Sequence, residues 1–118
     1  MAGLGECLND LARVQGVKAV VVVGRDGFII DGVVLQESLD VDAVAAMVAS
    51  GFGASERVGR ELAVGDMSQA ALEYDKGYLV MSMLPDDAVL ACVADLSSNL
   101  GNIRYQLKKR SGSIAAAL

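Results

Sequence analysis

The chain has 118 residues, 53% of them hydrophobic and 21% charged, with a formal net charge of −5 and no histidine. That balance excludes a disordered chain and disfavours nucleic acid as a general partner. The missing histidine removes the commonest general base and metal ligand. At this length the chain reads as one domain with one packed core. Its many Val, Ala, Leu and Met residues predict that some apolar surface is covered by another chain.

The first residues, "MAGLGECLNDLARVQG", carry acids early and lack the basic start and apolar core of a signal peptide. The longest uncharged runs are too short to cross a bilayer. A cytoplasmic protein without membrane insertion is therefore expected. Cys7 and Cys92 lie far apart with no metal-type spacing, so both read as small buried hydrophobes in a reducing compartment.

Leu4, Cys7, Leu8, Leu11 and Val14 recur at helical spacing, so a short amphipathic helix opens the domain and Gly16 ends it. "VKAVVVVGRDGFIIDGVVL" then reads as a hairpin, its apolar β-branched runs flanking Gly24-Arg25-Asp26-Gly27. The run Ala19–Val23 is continuously apolar, which predicts a strand covered on both faces.

From Asp40 to about Leu62 the pattern is helical, with Asp40 as cap and Asp42 at the positive end of the macrodipole. Val41, Val44, Val48, Phe52, Ser55, Val58 and Leu62 follow steps of three and four and define the stripe expected on the sheet. Three strands follow, at 67–74, 78–84 and 88–95, the first pair turning at Asp75-Lys76-Gly77 and the second at Pro85-Asp86-Asp87. Ser97 or Asp95 is the expected cap of a last helix with Leu100, Ile103 and Leu107 on one face. That helix ends in basic residues before Gly112, and "SIAAAL" either frays or extends it. Arg104, Lys108, Lys109 and Arg110 there read as cations at the negative end of a helix or as a docking patch for an acidic partner.

The predicted order is α-β-β-α-β-β-β-α. Short loops make neighbouring strands antiparallel, and the long helix crosses over between the second and third strands. The expected fold class is α+β, a five-stranded antiparallel sheet with helices on both faces. The expected extent is a single domain over 1–118, with a core of about 4–110 and a short tail at 111–118.

The stretch "MVASGFGASERVG" resembles a phosphate-binding loop in composition only. A dinucleotide fingerprint needs G-x-G-x-x-G after a strand, whereas Gly51-Phe52-Gly53-Ala54-Ser55 is followed by Glu56, inside a helical pattern. No P-loop spacing occurs. Glycine in a helix costs ~1 kcal/mol against alanine, so Gly51, Gly53 and Gly59 need compensation, and close backbone approach is its expected source. From Ala43 to Ser55 no charge appears on any face, and an all-round apolar helix is buried all round. The side away from the sheet carries Ala43, Ala46, Met47, Ala49, Ser50, Gly53 and Ala54, which predicts a contact helix engaged in self-association. The strand "QAALEY" lies at a sheet edge in simple topologies of this order. It has no Pro or Lys to protect it, so Ala70 and Leu72 join the expected dimer interface.

Catalytic chemistry is not expected. Neither cysteine has an evident base, no Ser sits in G-x-S-x-G, and Asp86-Asp87 reads as a solvated turn. Glu56–Arg60 and Arg57–Glu61 read as i,i+4 pairs on a solvated helix end, or as a polar rim around an apolar patch. No catalytic, cofactor-binding or metal site is assigned, and no cofactor is expected.

The ordered set of Gly16-Val17 with the Val-rich strand, "GRDGFII", "AVAAMVASGFGASERVGREL", "ALEYDKGYLVMSML" and "ACVADLSSNLGNIRYQLKK" resembles the Roadblock family (dynein light chain Roadblock type), in particular its MglB-like bacterial and archaeal members. The resemblance covers about residues 4–110. It implies a homodimer with central helices side by side and third strands paired, serving as a platform for a Ras-like small GTPase with or without stimulation of GTP hydrolysis. It places Met47, Ser50, Ala54, Arg57 and Arg60 toward the GTPase. It supplies no invariant catalytic residue, and this chain lacks much C-terminal extension for a tail-mediated contact. The alternatives are a structural scaffold or adaptor indifferent to nucleotide state, and a ligand-binding sensory module.

Overall fold

The computed structural model describes residues 3–118. Its elements are α1 (Leu4–Ala12), β1 (Val17–Gly24), β2 (Ile29–Val34), α2 (Val41–Glu61), β3 (Gln69–Tyr74), β4 (Gly77–Leu84), β5 (Ala88–Asp95) and α3 (Leu100–Ala117). All strand pairs are antiparallel, and the spatial order is β2-β1-β5-β4-β3. The expected α+β sandwich is the observed one. α2 carries the chain from one edge strand, β2, to the other, β3.

The strand alternation sorts side chains into two cores. Val20, Val22, Val80, Leu90 and Cys92 point to the side covered by α1 and α3, where they meet Leu8, Leu11, Ile103 and Leu107. Val21, Val23, Met81, Val89 and Ala91 point to the other side and meet Ala45, Val48 and Phe52 of α2. β1 and β5 are therefore apolar on both faces, as the unbroken run Ala19–Val23 predicts. Burial without a polar partner pushes the Cys92 thiol up to about 12, which keeps it a protonated hydrophobe.

The turns follow residue chemistry. In the β1–β2 turn, Gly27 takes φ +90°, and Asp26 Oδ1 accepts from Phe28 N–H at 3.1 Å. Asp86 and Asp87 sit at φ +64° and +58° between β4 and β5, a region Asp tolerates better than most residues. Gly77 opens β4 against Ala94, and a Cβ there would lie 2.4 Å from the Ala94 carbonyl oxygen. Gly77→Ala is expected to lower the unfolding free energy by about 1–3 kcal/mol by forcing β4 from β5. Urea denaturation checks this, and an unchanged midpoint would contradict it.

The last helix departs from the expected cap, and its far end decides between the two alternatives. Its cap is Asn99, whose side chain accepts from Asn102 N–H at 2.9 Å. Asp95 and Ser97, the expected caps, instead bond each other, Ser97 N–H donating to Asp95 Oδ1 at 2.9 Å. The other end takes the extended alternative: α3 runs through Gly112 to Ala117 and buries Ile114 in the core of the α1 side. That burial offsets the glycine. No helix among the described residues is long and apolar enough to cross a membrane.

A candidate contact surface

α2 positions the site. Asp40 caps it by accepting from Ala43 N–H at 3.2 Å, and Asp42 lies in its first turn. Its buried residues are Ala45, Val48, Phe52 and Glu56, steps of three, four and four that follow the 3.6-residue turn. The expected stripe holds at Val48 and Phe52, with Val41 and Val44 packed at its border. It does not hold at Val58 and Leu62, which are 57% and 66% exposed. Beyond Phe52 the face turned inward is the one bearing Glu56.

Glu56 is 3% exposed, so the expected solvated pairing is corrected. Its carboxylate receives both terminal nitrogens of Arg25 from the β1–β2 turn, Nη1 on Oε1 and Nη2 on Oε2, the latter at 2.8 Å. The guanidinium also lies 5.6 Å from the Phe52 ring centre. Hydrogen bonding to Glu56 raises the Arg25 pKa above its ordinary value, with the Glu56 and Asp87 charges adding to it against the cost of burial. Arg60 stands 3.9 Å from Glu56 and 3.8 Å from Asp66, while Arg57 stays exposed. Arg25 had no local signal in the sequence. Glu56 had one: it sits four residues after Phe52, on the core row.

Away from the sheet, Ala46, Met47, Ser50 and Ala54 are exposed, and Ala43 and Gly53 are half-buried. Met47 is 66% exposed. Between this helix and the β3–β4 end of the sheet runs a groove of about 540 Å³, lined by Met47, Gly51, Leu72, Tyr74, Leu79 and Met81 among others. Ala70, Leu72 and Tyr74 alternate onto this face of β3, with Ala70 packed against the core. The expected interface residues thus divide. Met47 and Leu72 share the groove, whereas Ala46 and Ser50 border a smaller notch of about 190 Å³ beside Arg25–Gly27. Tyr74 and Leu79 were not singled out in the sequence, although Tyr74 shares the face of Leu72 two residues on.

At one end of the groove Lys18 and Asp95 form an ion pair at 3.3 Å. The hydroxyl and N–H of Ser97, with Lys18, hold the Asp95 carboxyl below its usual range. This lining offers apolar area and a few peripheral charges. Its physical capacity is to bury another apolar surface.

The two sheet edges differ. Leu35 N–H donates inward to the Lys18 carbonyl at 2.8 Å, so alternation turns the Gly32 N–H outward. The Asp31 carboxylate takes that N–H at 2.8 Å, and the register shifts at Ile30, a bulge. Bulge and inward-bent carboxylate both discourage strand addition at β2. β3 pairs with β4 in unbroken register from Gln69 to Tyr74 and has neither device. The small residues of α2 add to this contrast. A Cβ at Gly59 would meet the Gly65 carbonyl oxygen at 3.0 Å, but one at Gly51 would meet nothing within 4 Å.

The Roadblock/LC7 domain family model matches residues 4–94. The protein MJ0310 of Methanocaldococcus jannaschii is 34% identical over 109 residues, covering 92% of this chain and 94% of that protein. The structure of MglB from Myxococcus xanthus superposes with a TM-score of 0.88 at 20% identity, over 96% of this chain and 92% of that one. A Roadblock/LC7 domain from Streptomyces avermitilis superposes with a TM-score of 0.87 at 20% identity, over 98% and 97%. The two superpositions speak to the fold, and the family match and the archaeal relative to descent. This chain belongs to the Roadblock/LC7 family.

Proposed function

We propose that this protein is a homodimeric, cytoplasmic platform that binds and regulates a Ras-like small GTPase, with its 118 residues acting as a single Roadblock unit. The observation that carries the reading is the apolar groove between α2 and β3–β4, which opens beside the unguarded β3 edge. A second copy related by a two-fold axis closes such a groove with its own α2 and pairs its own β3, an isologous contact. In this reading Ala43, Ala46, Met47, Ser50, Gly53, Ala54, Ala70 and Leu72 form the dimer contact. Met47, Ser50, Ala54, Arg57 and Arg60 present the GTPase-facing side of the paired helices. The protein is not itself an enzyme: any stimulation of GTP hydrolysis comes from holding the GTPase's own machinery in place.

Glycine at 51 separates packing from propensity. With open space around it, Gly51→Ala is expected to stabilise the isolated protomer by about 0.5–1 kcal/mol. In the dimer the added methyl stands where a partner helix approaches, so self-association weakens. Thermal unfolding and sedimentation of the same variant check both arms, and a gain in stability with undiminished association would remove Gly51 from the contact.

The functional test is capture from the source-cell lysate on immobilised protein, loaded in parallel with GDP or a non-hydrolysable GTP analogue. Retention of a Ras-like GTPase in the analogue lane, identified by mass spectrometry, is the expected result. The same partners in both lanes, with no GTPase among them, would make the protein a scaffold.

A further inference from the structure

α3 holds a charged surface that neither the fold nor the contact helix uses. It carries Arg104, Lys108, Lys109 and Arg110 and no acid, in a chain whose 10 basic residues are outnumbered by 15 acidic ones. Cations stabilise a helix through its dipole only near the last turn, and the last turn of α3 holds none because the helix continues to Ala117. The helix-end explanation therefore does not apply to these residues.

Ion pairing accounts for Arg110 alone. Arg110 is held by Asp10 at 3.6 Å and donates to Gln106 at 3.2 Å. Arg104 donates through Nε to the Gln69 side-chain oxygen at 3.0 Å and remains exposed. Lys108 and Lys109 are exposed, with no ion pair among the described residues. Arg104 and Lys108 are four apart, where like charges repel and weaken a helix slightly. In the adjoining row Tyr105 is 58% exposed, and the Lys109 ammonium lies 6.0 Å from its ring centre.

These two rows make a basic strip on the side of the sheet opposite α2. We propose that the strip formed by Arg104, Tyr105, Lys108 and Lys109 is a docking surface for an acidic protein segment, a run of Asp and Glu carboxylates presented by a partner. The three exposed cations lie within about one and a half helical turns and match carboxylates on a facing segment, and Tyr105 supplies contact area of the kind interfaces favour. A helix seated on a membrane needs several large apolar residues beside its cations, and this strip offers Tyr105 alone. Nucleic acid is disfavoured by the net charge of −5. The strip lies apart from the groove, so its occupancy does not depend on the GTPase reading.

The test is fluorescence anisotropy of a labelled short polyglutamate peptide with the full chain in low salt, beside phosphatidylserine vesicles. Three exposed ion pairs of ordinary strength predict about tenfold weaker peptide binding for R104Q/K108Q/K109Q. K108Q/K109Q, which keeps the Arg104–Gln69 bond, is expected to lose part of that. R13Q/K76Q removes the same charge as K108Q/K109Q from outside the strip and is expected to change binding less than about twofold. Equal losses in the two double variants, no peptide binding by the wild type, or binding to the vesicles alone would overturn the proposal.

Discussion

Val48→Glu is expected to unfold the protein, whereas Met47→Glu is expected to leave the protomer folded and to break the proposed self-association. These adjacent residues differ in side. Val48 is 2% exposed and packs with Phe52, Val21 and Met81 in the α2-side core. A carboxylate there loses its water and finds no partner, at a cost of several kcal/mol charged or neutral. Total stability for a domain of this size is about 5–15 kcal/mol, so that single change removes most of it. Met47 keeps two-thirds of its surface in solvent, and a carboxylate there stays hydrated in the protomer. In the proposed dimer it is enclosed against apolar groove residues, so the dissociation constant is expected to rise by at least about a hundredfold, or ~3 kcal/mol. Circular dichroism reads the fold and sedimentation the association. A folded Val48→Glu would contradict the packing of α2, and a fully associated Met47→Glu would move the contact elsewhere.

Arg25→Ala is expected to destabilise the protein by about 3 kcal/mol, since removing one partner leaves a buried charge uncompensated. The variant strands Glu56 at 3% exposure, removes both hydrogen bonds that fix the β1–β2 turn against α2, and uncovers the Phe52 ring. Glu56→Gln is expected to cost less, because the Arg25 side chain is 32% exposed and can recover water. Arg25→Lys is expected to fall between wild type and Arg25→Ala, since an ammonium cannot span both carboxylate oxygens. Urea denaturation of the three variants gives the order directly. Arg25→Ala as stable as wild type would show that the pair does not hold the turn in place.

The same pair shows where sequence reading stops. Arg25 and Glu56 are 31 residues apart, and periodicity carries no information about a partner arriving from another turn. Local signals located the strands because β-branched runs and Gly or Asp turns act within a few residues. Val58 and Leu62 misled because their spacing is that of a core stripe, yet the inward row of α2 passes through Glu56 instead. α3 crosses Gly112 because Ile114 reaches a tertiary core, a gain propensity cannot register. The small outward face of α2 was legible as a run without charge. The groove beside it required the β3–β4 register, which sets Leu79 opposite Leu72 and so could not be read from either strand alone.

The closing of that groove by a second copy is tested most directly by sedimentation equilibrium of the wild-type chain at micromolar concentration. A mass twice the 12.2 kDa of one chain, falling toward one chain in Met47→Glu, is the expected result. A mass of 12.2 kDa for the wild type across that range would contradict self-association as the use of α2 and β3.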